Sequence, residues 1–201
     1  MVTGNATPDR RAQFSSAAFD VVASGGLRAL THRAVDDAAG VPPGSVNYYA
    51  PNRSKLQQLA LQEAFERMRE IAVREFEPIF DTMAGGHRPS ETMILDCAVG
   101  FIEAMTTEGR GLVVVRHALL IEAQFDPALR ELIVANRSRF VGFADQITLE
   151  FWPTRPERAA ELIVAVIEGL IQQQTLVTAQ PFDAAMNRAT VARILGFSAE
   201  S

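Results

Sequence analysis

The chain reads as all-α, with about nine helices: three short ones at the N-terminus and long ones after. Three observations carry this. Apolar residues recur at i, i+3 and i+4 along most of the 201 residues. Glycine and proline fall at the ends of those periodic stretches. No alternating strand pattern exceeds a few residues, and the β-branched run Gly111 to Val115 lies inside a longer 3.6-residue period.

In order, Phe14, Ala17, Ala18, Val21 and Val22 define the first helix, and Gly25-Gly26 stops it. Thr31 caps a second helix that ends at Gly40. Pro43 takes the first position of a third, which runs to Tyr49 before Pro51. Ser54 caps a long fourth helix to Phe80, with Leu61, Phe65, Met68, Ala72, Phe76 and Ile79 as its apolar stripe. Ser90 caps a fifth to Thr107, and a sixth covers Leu112 to Gln124. Asp126-Pro127 opens a seventh to Phe151. Pro153 and Pro156 mark a break before an eighth helix over Glu157 to Thr178, and Pro181 starts a ninth that ends near Gly196.

Composition narrows the function. One cysteine, Cys97, excludes a disulfide framework, and its apolar neighbours suit a buried, inert thiol. The longest apolar run, Leu162 to Ile167, is too short to span a bilayer, and residues 1–9 carry no secretory signal. The expectation is a soluble cytoplasmic protein. Net charge is −5, yet residues 1–55 are net +2 and the remainder net −7, which fits either a polyanion partner at the N-terminal end or a solvated surface with a chance tilt. His32, His87 and His117 lie far apart with no zinc-like spacing, and neither a dinucleotide loop nor a Gly-x-Ser-x-Gly elbow is present. No enzyme, metal or cofactor is expected.

The second and third helices, separated by Gly40-Val41-Pro42, match a helix-turn-helix plan, with Val35, Ala38, Ala39, Val41 and Val46 as the seam. Ser45, Asn47, Tyr48 and Tyr49 then face outward. These types can meet base edges, methyl groups and phosphates in a major groove. Arg33, Arg53 and Lys55 flank them and could clamp the backbone.

The stretch Gly26 to Leu56 resembles the DNA-binding domain of tetracycline-repressor (TetR) type regulators. The likeness lies in Thr31 opening the second helix, Ala39-Gly40-Val41 at the turn, Gly44-Ser45, Asn47-Tyr48-Tyr49, and then Arg53 and Leu56. Three positions depart from the commonest pattern: Pro42 replaces a serine cap, Asp36 an alanine, and Ala50 a phenylalanine. The resemblance implies a homodimeric, ligand-responsive repressor of a palindromic operator. Its DNA-binding region would be residues 8–53, and its effector-binding and dimerisation region residues 54–198. Thr31, His32, Arg33, Pro43, Gly44, Ser45, Asn47, Tyr48, Tyr49, Arg53 and Lys55 would form the DNA surface. Ser45 and Asn47 would read bases, and the others mostly hold phosphates.

The resemblance also implies an effector among the fifth to eighth helices and dimerisation through the last two. The eighth helix is apolar nearly all round, which suits a core on one flank and a partner on the other, or full enclosure in a monomer. Leu162, Val166, Gly169, Leu170, Gln173, Val177, Val191 and Ile194 are the interface candidates. Effector candidates are Phe101, Met105, Arg116, His117, Phe125, Phe140, Phe143, Trp152 and Gln172, whose spacing equally suits plain core. Arg116, if inside, would meet Glu122, Glu103 or an acidic ligand. The rival reading is an all-α small-molecule-binding protein or enzyme whose N-terminal helices only cap a pocket.

Overall fold

The structure, a computed structural model, describes residues 9–152, 154, 156–178 and 181–197. Pro153 and the outer limits of the two expected regions, residues 8 and 198, lie outside the described residues. Among those described there are eight α-helices and no strand. They are α1 (Arg10–Gly25), α2 (His32–Ala38), α3 (Arg53–Ala84), α4 (Glu91–Thr106), α5 (Arg110–Glu122), α6 (Pro127–Phe151), α7 (Ala159–Gln172) and α8 (Ala184–Leu195). The fold class expected from sequence stands, with one helix fewer. The segment expected as a third helix is a 3-10 turn over Ser45–Tyr48. Gly44 enters it at φ 91°, a left-handed conformation that breaks any continuous helix from Pro43.

The chain divides into two compact units, residues up to Arg67 with Val114–Val134, and Met68–Val113 with Ala135–Ser201. In the first, α1 packs on α2. Phe14, Ala18, Val22, Leu30, Val35, Val46, Leu56 and Leu61 are almost fully buried. Val35 and Val46 make the expected seam, whereas Ala38 faces solvent. Thr31 caps α2 as expected, accepting from the Ala34 N–H. The α3 cap is Asn52, whose Oδ1 accepts from the Lys55 N–H, rather than Ser54. Ser54 sits one turn into the chemistry of another element, donating to the Asp126 carboxylate. Arg67 holds Glu63 (2.8 Å) and Asp20 (3.6 Å) and lies 4.3 Å over the Phe19 ring.

In the second unit α4 packs on α7 and α8, and α7 on α8. Ser90 caps α4, accepting from the Met93 N–H. The start of α8 is Asp183, whose carboxylate accepts from the Met186 N–H, two residues beyond the expected Pro181. Beyond α7 the chain continues as a π-helical turn over Gln173–Val177. The stretch Ala159–Val177 is long and apolar enough to cross a membrane by length and composition, so the sequence-based limit set by Leu162 to Ile167 was too narrow. Glu161 and Glu168 interrupt it, and Arg158 and Arg137 pair with them respectively. Cys97 is buried in α4, and burial pushes its thiol up.

Candidate DNA-reading turn and effector cavity

The turn between α2 and α3 hangs on a buried carboxylate. Asp36, on the last turn of α2, is 1% exposed. The Gly44 N–H donates to its Oδ2 at 2.6 Å and the Val46 N–H to its Oδ1 at 2.8 Å. These are the amides that a side-chain cap on the following segment would otherwise satisfy. Asp36 therefore supplies, from across the turn, the cap that proline at Pro42 cannot give. Ser45 adds a bond from its hydroxyl to the Pro42 carbonyl (2.6 Å). Gly40 turns the chain at φ 66°, and Val41 N–H donates to the Asp36 carbonyl.

That scaffold leaves Asn47 and Tyr48 facing water. Tyr48 is 88% exposed, against 37% for Tyr49. Tyr49 packs on Phe14 (5.1 Å between ring centroids) and receives Tyr48 edge-on (5.2 Å). A stacked Tyr49 thus fixes the direction of an exposed Tyr48. Pro43 and Gly44 are exposed beside them, and Ser45 is half-buried.

The basic flank is partly committed elsewhere. Arg53 donates Nη1 to the Leu30 carbonyl (3.0 Å) and Nη2 to the Leu27 carbonyl (2.8 Å). The Leu27 carbonyl also accepts from the Leu30 N–H that closes the 3-10 turn Leu27–Ala29, so Arg53 adds a second donor there and pins the α1–α2 connection as well as carrying charge. His32 Nε2 lies 2.7 Å from the Ala50 carbonyl. Lys55 Nζ donates to Gln58, and Arg33 lies 3.8 Å from Asp37, all at the surface.

In the second unit a cavity of about 60 Å³ opens among five helices. Its walls come at helical spacing: Phe76 of α3, Ile94 and Ala98 of α4, Phe143, Ala144, Ile147, Thr148 and Phe151 of α6, Ile163 and Ile167 of α7, Val191 and Leu195 of α8. Phe76 meets Phe143 edge-on at 5.3 Å and Phe101 at 5.8 Å. The Thr148 hydroxyl is spent on the Ala144 carbonyl.

Phe143 is the one expected effector residue among the described lining. Phe101 and Met105 are buried in α4 beside it, at 7% and 1% exposed. Phe140, Trp152, Arg116 and His117 are half-buried, and Gln172 is exposed. Arg116 and His117 belong to the first unit, where Glu122 accepts from Gln57 at 3.2 Å. Phe125 is 87% exposed, three residues beyond the end of α5, and is not among the described lining of this cavity. Sequence reasoning favoured aromatic and charged residues and passed over Ile94, Ala98, Ile147, Ile163, Ile167 and Leu195. Their i, i+4 spacing marks them as core but not as the wall of a cavity.

Among the interface candidates, Leu162 and Val177 are 61% and 65% exposed, and Gly169 and Gln173 are exposed too. Val166, Leu170 and Ile194 are half-buried. Val191 is 3% exposed and lines the cavity, because α8 turns its 191/195 stripe inward. That corrects its assignment to a partner-facing surface.

Comparison with known proteins supplies the family. A family profile described as "Tetracyclin repressor-like, C-terminal domain" matches residues 89–196, just over half of the chain. No curated protein matches the sequence. Among solved structures, a transcriptional regulator from Streptomyces coelicolor A3(2) is similar at TM-score 0.70 and 21% identity, covering 94% of this chain and 99% of that one. A TetR-family transcriptional regulator from Rhodococcus sp. gives 0.67 at 21% identity, covering 93% and 97%. At that identity both are likenesses of fold. The multidrug-binding protein EbrR, in its complex with ethidium, gives 0.67 at 26% identity, covering 93% and 98%. With the outward Asn47-Tyr48 turn and the matched C-terminal region together, this chain belongs to the tetracycline-repressor family of transcriptional regulators.

Proposed function

We propose that the protein is a homodimeric repressor that binds a palindromic operator and is released by a small-molecule effector. The DNA-binding region is residues 8–53, and residues 54–198 bind effector and dimerise. The observation that carries this reading is the Asp36-capped turn with Asn47 and Tyr48 exposed upon it. Nothing in folding calls for a tyrosine 88% exposed and aimed by ring packing. A surface that meets DNA does.

Asn47 and Ser45 read base edges. Tyr48, Tyr49, Thr31, His32, Arg33, Pro43, Gly44 and Lys55 meet the sugar-phosphate backbone, and Arg53 does so while holding its carbonyls. Each head spans few base pairs, so specificity requires two heads on a two-fold axis, with half-sites roughly 34–36 Å apart. The exposed apolar residues Leu162 and Val177, with Gly169 and Gln173, support a partner-facing surface on α7 and the turn after it. The cavity among α3, α4, α6, α7 and α8 is the effector site. An effector that binds the non-operator conformation better lowers operator affinity by linkage, and DNA lowers effector affinity equally. The protein acts in the cytoplasm, without catalysis, cofactor or metal.

The test is selection from a random duplex pool, followed by anisotropy on the enriched sequence with Asn47→Ala. An inverted repeat should emerge, and Asn47→Ala should cost about 1–3 kcal/mol at one position of each half-site. Equal binding of all duplexes would support the pocket-capping reading instead.

A further inference from the structure

The cavity's chemistry restricts what it holds. Eleven of its twelve described lining residues are apolar, and the twelfth, Thr148, has its hydroxyl engaged by the Ala144 carbonyl. Arg137 and Glu168 pair with each other, and Arg188 pairs with Asp96, and none of the four lines the cavity. Among the described lining residues a charged ligand, having left its hydration shell, would find neither counter-charge nor free donor. Three of the walls, Phe76, Phe143 and Phe151, present aromatic rings, two of them already packed edge to face. Such walls accept another ring in offset or edge-on geometry.

Size adds a second limit. Benzene occupies an apolar protein cavity of roughly 150 Å³, and this one holds about 60 Å³. An occupant therefore enters by displacing a ring; Phe76, Phe143 and Phe151 are all half-buried, and Phe151 also packs edge-on to Phe197 at 5.1 Å.

From the lining and its volume we infer that the effector is a compact, uncharged molecule of one or two aromatic rings. The inference rests on the cavity being the effector site and adds the chemical class.

Three isosteres on one ring system test it by calorimetry on the full-length protein: 1-methylnaphthalene, 1-naphthoate and 1-naphthylmethylammonium. The neutral compound should bind at least tenfold more tightly than either ion. Ala98→Phe, which fills the cavity, should weaken it at least tenfold, and Ala144→Leu serves if that variant does not fold. An ion that binds as well as the neutral ring overturns the class, while its loss in Ala98→Phe together with a change in operator anisotropy would keep the cavity as effector site. Neutral binding untouched by either filled variant, or no binding at all, overturns the proposal. Neutral binding in the cavity that leaves operator anisotropy unchanged keeps the ligand class and refutes the effector role.

Discussion

Replacing Asp36 by alanine removes the acceptor for two backbone amides at once. The Gly44 amide is near solvent and water can take over its bond, but the bond to the Val46 amide is buried. An unsatisfied buried amide costs about 1–3 kcal/mol. Taking about 2 kcal/mol, the fraction of heads with the turn formed falls about 30-fold when the turn is marginal. Operator affinity falls by that factor for each head, because binding is taxed by the competent fraction. Asp36→Asn keeps one acceptor and should lose about 5-fold, corresponding to roughly 1 kcal/mol. The assay is fluorescence anisotropy on operator and random duplex at several salt concentrations. No cation is lost, so random-duplex affinity and its salt slope should hold while operator affinity drops. Hydrogen exchange at the Val46 amide should accelerate in parallel. Wild-type operator binding by Asp36→Ala, or an equal loss on random DNA, would refute the idea that this carboxylate holds the reading turn.

Further expectations follow from the same contacts. Tyr48→Ala should leave stability within about 0.5 kcal/mol, as for other surface positions, yet weaken operator binding, measured by thermal unfolding beside anisotropy. Arg53→Ala should lower unfolding free energy by about 1–2 kcal/mol through its lost carbonyl bonds, visible as a reduced urea midpoint without DNA. The Ser54 hydroxyl, foremost, holds the Asp126 carboxyl below its ordinary 3.8, with help from the Leu129 and Ala128 amides. A carboxylate lowered on folding adds stability above its unfolded value and loses it as pH falls through the folded one. Ser54→Ala should thus be less stable than wild type at pH 7, and the gap should close below 3.8. Cys97, buried with its thiol pushed up, should react slowly with a thiol reagent at pH 8 in the native protein and at once after unfolding in urea.

The sequence was most informative where local chemistry decides. Thr31, Ser90 and the Asp126-Pro127 pair each mark a helix start, and each side chain accepts from the first-turn amides. It was less informative where a bond crosses the chain. Asp36 read only as a departure from the family pattern, because its acceptor role depends on amides eight and ten residues away. Arg53 read as a phosphate clamp, since nothing local reveals that Leu27 and Leu30 present carbonyls to it. Pro43 suggested an α-helix, and the left-handed Gly44 beside it shortened the element to a 3-10 turn. The helix α3 carries Pro78 within it and runs to Ala84, four residues beyond the expected Phe80. The cavity was hidden for a different reason: Ile94 with Ala98, Ile163 with Ile167 and Val191 with Leu195 have the spacing of ordinary core, and only their convergence marks a void.

The central claim is that Asn47, presented by the Asp36-capped turn, reads a base in duplex DNA. Its most direct measurement is the affinity of wild type and Asn47→Ala for a selected operator and for its single-base variants at fixed salt. The account predicts that wild type discriminates at one position in each half-site, and that Asn47→Ala loses discrimination there alone. Uniform affinity of wild type across all duplexes would contradict it.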